Sequence, residues 1–179
     1  MIEDLENNGF FDAPASCSKR ASYPGGLCEH SLNVYDQAIA LRETQLRLRP
    51  ELAAHIPVQS VVIASLLHDI CKSDIYRDAH VKGSLRYGEN VKIRYGCHLD
   101  GFPIGHGEKS VIMLLISGLE MTEDEMLAIR WHMYPWDTPM NGGELSQMAD
   151  EARRKSPLTV LIASADCLAA KITEGKPSR

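Results

Sequence analysis

No CxxC pair occurs in this sequence, and its five cysteines (Cys17, Cys28, Cys71, Cys97 and Cys167) are scattered and odd in number. A thiolate zinc site and a disulfide framework are therefore not expected, and a reducing compartment is. Aromatic residues are scarce at 6%, so the core must be built mostly from aliphatic side chains. There is no excess of positive charge: the formal net charge is −5. A chain of that sign does not coat nucleic acid or an anionic membrane wholesale, although a local basic groove stays open to it. No apolar run is long enough to span a bilayer. The opening MIEDLENNGF carries early acids and no apolar stretch, unlike a secretory leader. Repeats and low-complexity tracts are also missing. These absences lead to the expectation of a soluble, cytoplasmic chain with a single domain over 1–179 and no membrane partner.

What is present is helical. Hydrophobic residues make up 44% of the chain, enough for a packed core. Residues 1–25 read as an N-terminal arm, a short helix and then a loop ending in Tyr23-Pro24-Gly25-Gly26. Leu32, Tyr35, Ile39 and Leu46 then recur at helical spacing until Pro50. A second helix opens near Pro57, and its body, Val58 to Ile70, is apolar almost all round, so it belongs in the core. A third helix is expected from His106 to Ser117, with Gly118 as its C-terminal cap. Thr122 and Glu125 form a capping box for a fourth, reaching Met133. After a loop marked by Pro135 and Asn141-Gly142-Gly143, a short amphipathic helix covers Glu144 to Arg153. Ser156-Pro157 starts the last helix, with Leu158, Leu161, Ile162, Ala165, Leu168 and Ile172 on its apolar positions. The fold class is all-α, a helical bundle.

Between 74 and 105 the helical pattern fails. Val81, Gly83, Leu85 and Tyr87 alternate with polar residues, as do Val91, Ile93 and Tyr95, around Gly88-Glu89-Asn90. Two period-2 runs around a short turn predict an inserted β-hairpin. Arg77, Lys82, Arg86, Lys92 and Arg94 outnumber Asp78 and Glu89 there. That basic face is either a guide for an anionic substrate or a strand edge kept soluble by charge.

Six residues do not suit a plain aliphatic bundle. His30 lies in the first turns of the first long helix, His68 and Asp69 near the end of the second, and His106 at the start of the third. His132 ends the fourth, and Asp166 lies inside the last among apolar turns. A carboxylate in an apolar helix is costly unless a cation or hydrogen-bond donors compensate it. Imidazole plus carboxylate suits divalent transition metals, and bundles build metal sites from inward-pointing ligands on facing helices. Singly, each residue is more often a hydrogen-bonded or ion-paired core group; the joint set is far more specific.

The order H…HD…H…H…D resembles the HD superfamily of metal-dependent phosphohydrolases. It is carried by Gly26-Leu27-Cys28-Glu29-His30-Ser31, Ser65-Leu66-Leu67-His68-Asp69-Ile70-Cys71-Lys72, Gly105-His106, Trp131-His132 and Ser164-Ala165-Asp166. SLLHDICK is similar to the family's LLHDIGK, with Cys71 where glycine is usual. The resemblance spans about Gly26 to Glu174. It implies a bundle with the site at its centre, and it implies that His30, His68, Asp69 and Asp166 hold a first metal ion. His106 and His132 match the extra histidines of the two-metal branch, with Asp69 bridging; in one-metal members such histidines are substrate contacts or acids. The cofactors implied are one or two divalent ions: Mn, Fe, Co, Ni or Zn, with Mg possible.

The implied chemistry is attack of a metal-activated water on a phosphoester or phosphoanhydride of a nucleotide or related small molecule, with nucleic acid a partner only as substrate. Asp69, Lys72, His106 and His132 are its candidate catalytic groups. Lys72, Lys109, Arg130 and Trp136 are the candidate substrate contacts. Lys72 lies one helical turn after Asp69, so it serves either phosphate or Asp69 itself. Lys109 has a surface alternative, Arg130 flanks His132, and Trp136 either stacks on a base or packs in the core or at the rim. Lys19, Arg20 and Tyr23 either line the entrance or serve no site; His55, His80 and His98 read as incidental, with His98, on the insert, the best candidate among them for an extra role. The same ligand set also resembles mixed-valent di-iron oxygenases of HD type, and a catalytically silent nucleotide-sensing module is a third reading.

Overall fold

The computed structural model describes residues 2–17, 21–78, 95–98, 101–133 and 143–175. Lys19, Arg20, His80, the hairpin residues Lys82, Arg86, Lys92 and Arg94, and Trp136 lie outside them. The expectations placed on those residues therefore have no structural counterpart here.

Helix α1 (Ile2–Asn7) is followed by the long α2 (Gly26–Leu48), a 3₁₀ turn over Pro50–Ala54, and α3 (Val58–Leu67). Then come the short α4 (Lys72–Ile75), β1 (Tyr76–Asp78), β2 (Tyr95–Cys97), α5 (His106–Ile116), α6 (Glu123–Trp131), α7 (Glu144–Lys155) and α8 (Pro157–Leu168). The expected helix order is recovered, and the fold is an all-helical bundle with a small antiparallel strand pair. Tyr76 faces Cys97, Arg77 faces Gly96 and Asp78 faces Tyr95.

Local chemistry explains the boundaries. The Thr122–Glu125 capping box forms in both directions: Glu125 N–H donates to Thr122 Oγ1 at 3.3 Å, and Thr122 N–H donates to Glu125 Oε2 at 2.8 Å. Gly118 takes φ +81° after α5, and Leu119 N–H returns to Leu114 O at 3.1 Å, the expected left-handed stop. Pro57 stands at the cap of α3, one position before its first turn. Helix α7 runs two residues past the expected end at Arg153, to Lys155. A larger difference concerns α3, which ends at Leu67 and leaves His68 and Asp69 just beyond it. Lys72 N–H bonds Asp69 O and Ser73 N–H bonds Ile70 O, three residues back. This tighter winding stacks side chains three apart, so Lys72 sits over Asp69.

Helices α2, α3, α6 and α8 pack on one another. Between them lie Leu27, Val34, Val61, Ala64, Leu114, Ile129, Leu158 and Ile162, all essentially inaccessible and all aliphatic. Each such large side chain contributes about 1.5–3 kcal/mol by leaving water. The arm shares this core through Leu5, Phe10 and Ala13, and its backbone is tied to α2: Leu27 N–H donates to Ala13 O at 2.9 Å. At Gly107 a Cβ would lie 2.2 Å from Arg130 O. Only glycine lets α5 come that close to α6, and this close approach sets His106 beside His132. Among the described residues, no single helix is long and apolar enough to cross a membrane.

Candidate metal centre

The bundle brings together the six residues expected from the sequence. His30 projects from the first turns of α2, and Asp166 from α8. His68 and Asp69 sit in the turn beyond α3, His106 opens α5, and His132 caps α6. The imidazoles form a row in the order His30, His68, His132, His106, with successive ring centroids 5.3, 4.7 and 5.1 Å apart. His30, His68, Asp69, His132 and Asp166 are buried, while the His106 side chain keeps 19% of its surface.

Asp69 is at the middle of this row, and its two oxygens face different histidines. Oδ2 lies 3.2 Å from His68 Nε2 and 3.6 Å from His30 Nε2. Oδ1 lies 3.4 Å from His132 Nε2 and 3.9 Å from His106 Nε2. Asp166 Oδ1 joins the first side, 3.3 Å from His30 Nε2. Two clusters of converging donor atoms result, His30–His68–Asp69 and Asp69–His106–His132, each tight enough to hold a metal ion.

The opposite ring nitrogens decide what the inward ones can do. His68 Nδ1 lies 2.8 Å from Ser65 O, and His132 Nδ1 lies 2.7 Å from Ile129 O. His30 Nδ1 lies 2.8 Å from Glu174 Oε1. Carbonyl and carboxylate oxygens only accept, so each Nδ1 carries a proton, and each ring in its neutral form turns its Nε2 lone pair inward. Nε2 of His68 and of His132 and Oδ1 of Asp69 are buried without an aligned hydrogen-bond partner. Lone pairs aimed at carboxylate oxygens repel unless a proton or a cation lies between them. With a nitrogen and oxygen donor set of borderline hardness, these residues fit divalent transition ions.

The electrostatics describe the same tension without a cation. Burial opposes charge on His30, yet Asp166, Asp69 and Glu174 raise its pKa to about 11. Burial depresses His68. Burial also opposes charge on His132, yet Asp69 raises it. Asp69 is held well below the usual carboxylate range: burial works against that, and Lys72 and His68 outweigh it. Asp166, also opposed by burial, is lowered to about 2 by His30. In this state a proton on His30 occupies part of the role that a cation would take, so metal uptake at that end must displace it.

The candidate substrate contacts divide. The Lys72 ammonium pairs with Asp69 Oδ2 and is raised above its ordinary pKa: burial lowers it, and Asp69 more than compensates. It remains a fixed positive charge at the centre. The Lys109 ammonium, buried on α5, pairs with Asp74, which also receives Arg77 at 3.0 Å. Arg130 pairs with Glu108 and lies 3.9 Å over the Trp131 ring. Tyr23 donates to Glu29 at 2.6 Å at the start of α2. His98 follows β2, and its backbone N–H donates to Ile75 O at 2.8 Å. Two contributors escaped the sequence reading. Ser110 accepts from Cys71 N–H at 3.4 Å and ties the turn beyond α3 to α5. Glu174 reaches His30 from beyond the end of α8.

Facing elements that supply histidines and carboxylates to one buried centre are how a helical bundle builds a metal site. The family model for the HD domain matches residues 27–171. The chain belongs to the HD domain family, whose members are generally metal-dependent hydrolases. No curated protein and no solved structure matched the chain.

Proposed function

We propose that this chain is a phosphohydrolase that cleaves a phosphoester or phosphoanhydride of a nucleotide or a similar small phosphate compound. One observation carries the reading: Asp69 divides its oxygens between two histidine pairs, which supports a centre for two ions with Asp69 between them. His30, His68, Asp69 and Asp166 would hold one ion; Asp69, His106 and His132 the other. Bound there, divalent ions would acidify water and neutralise phosphoryl charge.

The chain's own residues supply the rest. Lys72 keeps a positive charge beside Asp69, within reach of an anionic substrate. The His106 side chain keeps 19% of its surface while the other three histidines keep 5% or less, so substrate would approach past His106. Asp69, Lys72, His106 and His132 are the catalytic group in this reading. The unpaired cysteines fit a reducing, cytoplasmic setting.

The test is a substrate screen with Mn, Mg, Co, Ni and Fe, covering nucleoside mono-, di- and triphosphates, cyclic nucleotides and aryl phosphates. Turnover with at least one ion, lost in Asp69→Asn, is expected. Because the same six residues also suit a mixed-valent di-iron centre, oxygen uptake is measured on the iron-loaded protein. Oxygen consumption with no phosphate release from any substrate would replace hydrolysis by oxygenation.

A further inference from the structure

The four histidines of the centre are not held alike. His68 and His132 each lean on a carbonyl of their own chain three residues back, Ser65 O and Ile129 O. Those supports are fixed by the local backbone. His30 instead meets a side chain far along the sequence: Glu174 Oε1 at 2.8 Å from Nδ1. The same oxygen receives Asn33 Nδ2 at 3.2 Å, one turn further along α2. The Glu174 carboxylate is only 10% exposed, and Thr173 Oγ1 accepts from Gln37 Nε2 at 3.3 Å beside it.

Glu174 gets there by a change of winding. After α8 the chain continues as a π turn over Ala169–Thr173. In an unbroken α-helix, the residue about two turns after Asp166 on its face would be Thr173. The wider turn takes up roughly one extra residue and brings Glu174 round instead. Asp166 and Glu174 then grip the two nitrogens of one imidazole: Asp166 Oδ1 lies 3.3 Å from Nε2, and Glu174 Oε1 lies at Nδ1.

We propose that Glu174 is a positioning residue of the centre, whose carboxylate holds the His30 ring so that Nε2 is presented to a divalent cation shared with His68, Asp69 and Asp166. A carboxylate acceptor at Nδ1 fixes ring orientation and tautomer and makes Nε2 a stronger donor; loss of such a support typically costs 10–100-fold in metal affinity. The inference rests on the metal-centre reading. It predicts that the effect is confined to the His30 side, because the Glu174 carboxylate bonds His30 and Asn33 on α2.

Calorimetric titration of metal-free protein with Mn²⁺ and with Zn²⁺ tests it, comparing wild type, Glu174→Gln, Glu174→Ala, Asn33→Ala and Asp69→Asn, with thermal melts of each metal-free protein. Glu174→Ala should weaken the tighter binding event about 10–100-fold and leave the weaker one unchanged. Glu174→Gln, which keeps an acceptor oxygen but no charge, should fall between it and wild type. Asn33→Ala should bind like wild type, since it touches only the carboxylate. If Glu174→Ala and Glu174→Gln melt lower yet bind both ions as wild type does, Glu174 is a clamp between the α8 extension and α2, and the proposal is overturned. Should Glu174→Ala not fold, the Gln variant alone decides on the same criterion. Wild-type protein that takes up neither ion overturns the metal-centre reading and this inference with it. Uptake lost only in Asp69→Asn overturns this inference alone.

Discussion

The two ends of the centre are built from different materials. The end formed by α2 and α8 has three carboxylates around His30: Asp69, Asp166 and Glu174, all largely buried. The end formed by α5 and α6 has Asp69 Oδ1 between two imidazoles, and one of these, His106, is partly open to solvent. In the proposed reading, charge and enclosure would make the first end the tighter cation site. Fewer carboxylates and an open side would make the second end the weaker site and the place where substrate exchanges with water. One residue, Asp69, is common to both.

The largest effect therefore belongs to Asp69. Asp69→Asn should abolish uptake of both ions and reduce turnover by more than about a hundredfold. It also leaves the Lys72 ammonium without its carboxylate, and breaking a buried pair costs about 3–5 kcal/mol. Elemental analysis and a thermal melt check both outcomes; stoichiometric metal in this variant would remove the shared-bridge geometry.

Single-end variants sharpen the contrast. Asp166→Asn and His30→Ala should lose the tight ion. His106→Ala and His132→Ala should each lower the metal count by up to one while the tight ion stays. Native mass spectrometry of the metal-loaded variants gives the count directly. Full occupancy with lost activity in the last two would make those histidines acids or substrate contacts of a one-metal enzyme.

Most of this centre was legible in the sequence because buried His and Asp residues stand out against aliphatic helices, and because each of the six lies in a short recognisable segment. The helix ends were legible where a side chain or a glycine marks them, as at Thr122, Glu125 and Gly118. Glu174 was not, since helical periodicity assigns its place to Thr173 and nothing local announces a π turn. The end of α3 was missed for a related reason: apolar residues continue to Ile70, while the backbone tightens at Leu67 to stack Lys72 on Asp69. Hydrophobic pattern reports which residues are buried, not how the backbone winds between them.

Acidity separates the ends again, by a smaller margin. The metal-free His30 pKa is raised to about 11 from an ordinary 6.5. Its contribution to folding is therefore complete below about 6.5 and declines as pH rises towards about 11. Metal uptake at this end must expel that proton, so affinity for the tight ion should rise with pH, up to about tenfold per unit where one proton is displaced. Calorimetry between pH 6 and 9 in buffers of different ionisation enthalpy measures the proton released. No release at the tight site would mean that His30 is already neutral in the metal-free protein.

The smallest effect distinguishes two lysines that sequence position alone made equivalent. Lys72 and Lys109 were both candidate phosphate contacts. Lys72 pairs with Asp69, so its charge lies at the junction of the two ends. Lys109 points away into a pair with Asp74, at the root of the strand pair, where Arg77 also bonds Asp74. Neutralising Lys72 as Lys72→Met should lower kcat/KM by roughly tenfold or more, because a charge within reach of the phosphate is lost. Asp74→Asn should leave kcat/KM within about twofold, since Asp74 and Lys109 pair with each other and not with Asp69. It should instead cost about 1–2 kcal/mol of stability, less than a fully buried pair because Asp74 is 39% exposed. Steady-state kinetics and denaturant melts on the two variants check this. An Asp74→Asn protein with unchanged stability and a KM lowered several-fold would show that Lys109, once released, swings to the substrate, and that its pairing with Asp74 restrains phosphate binding.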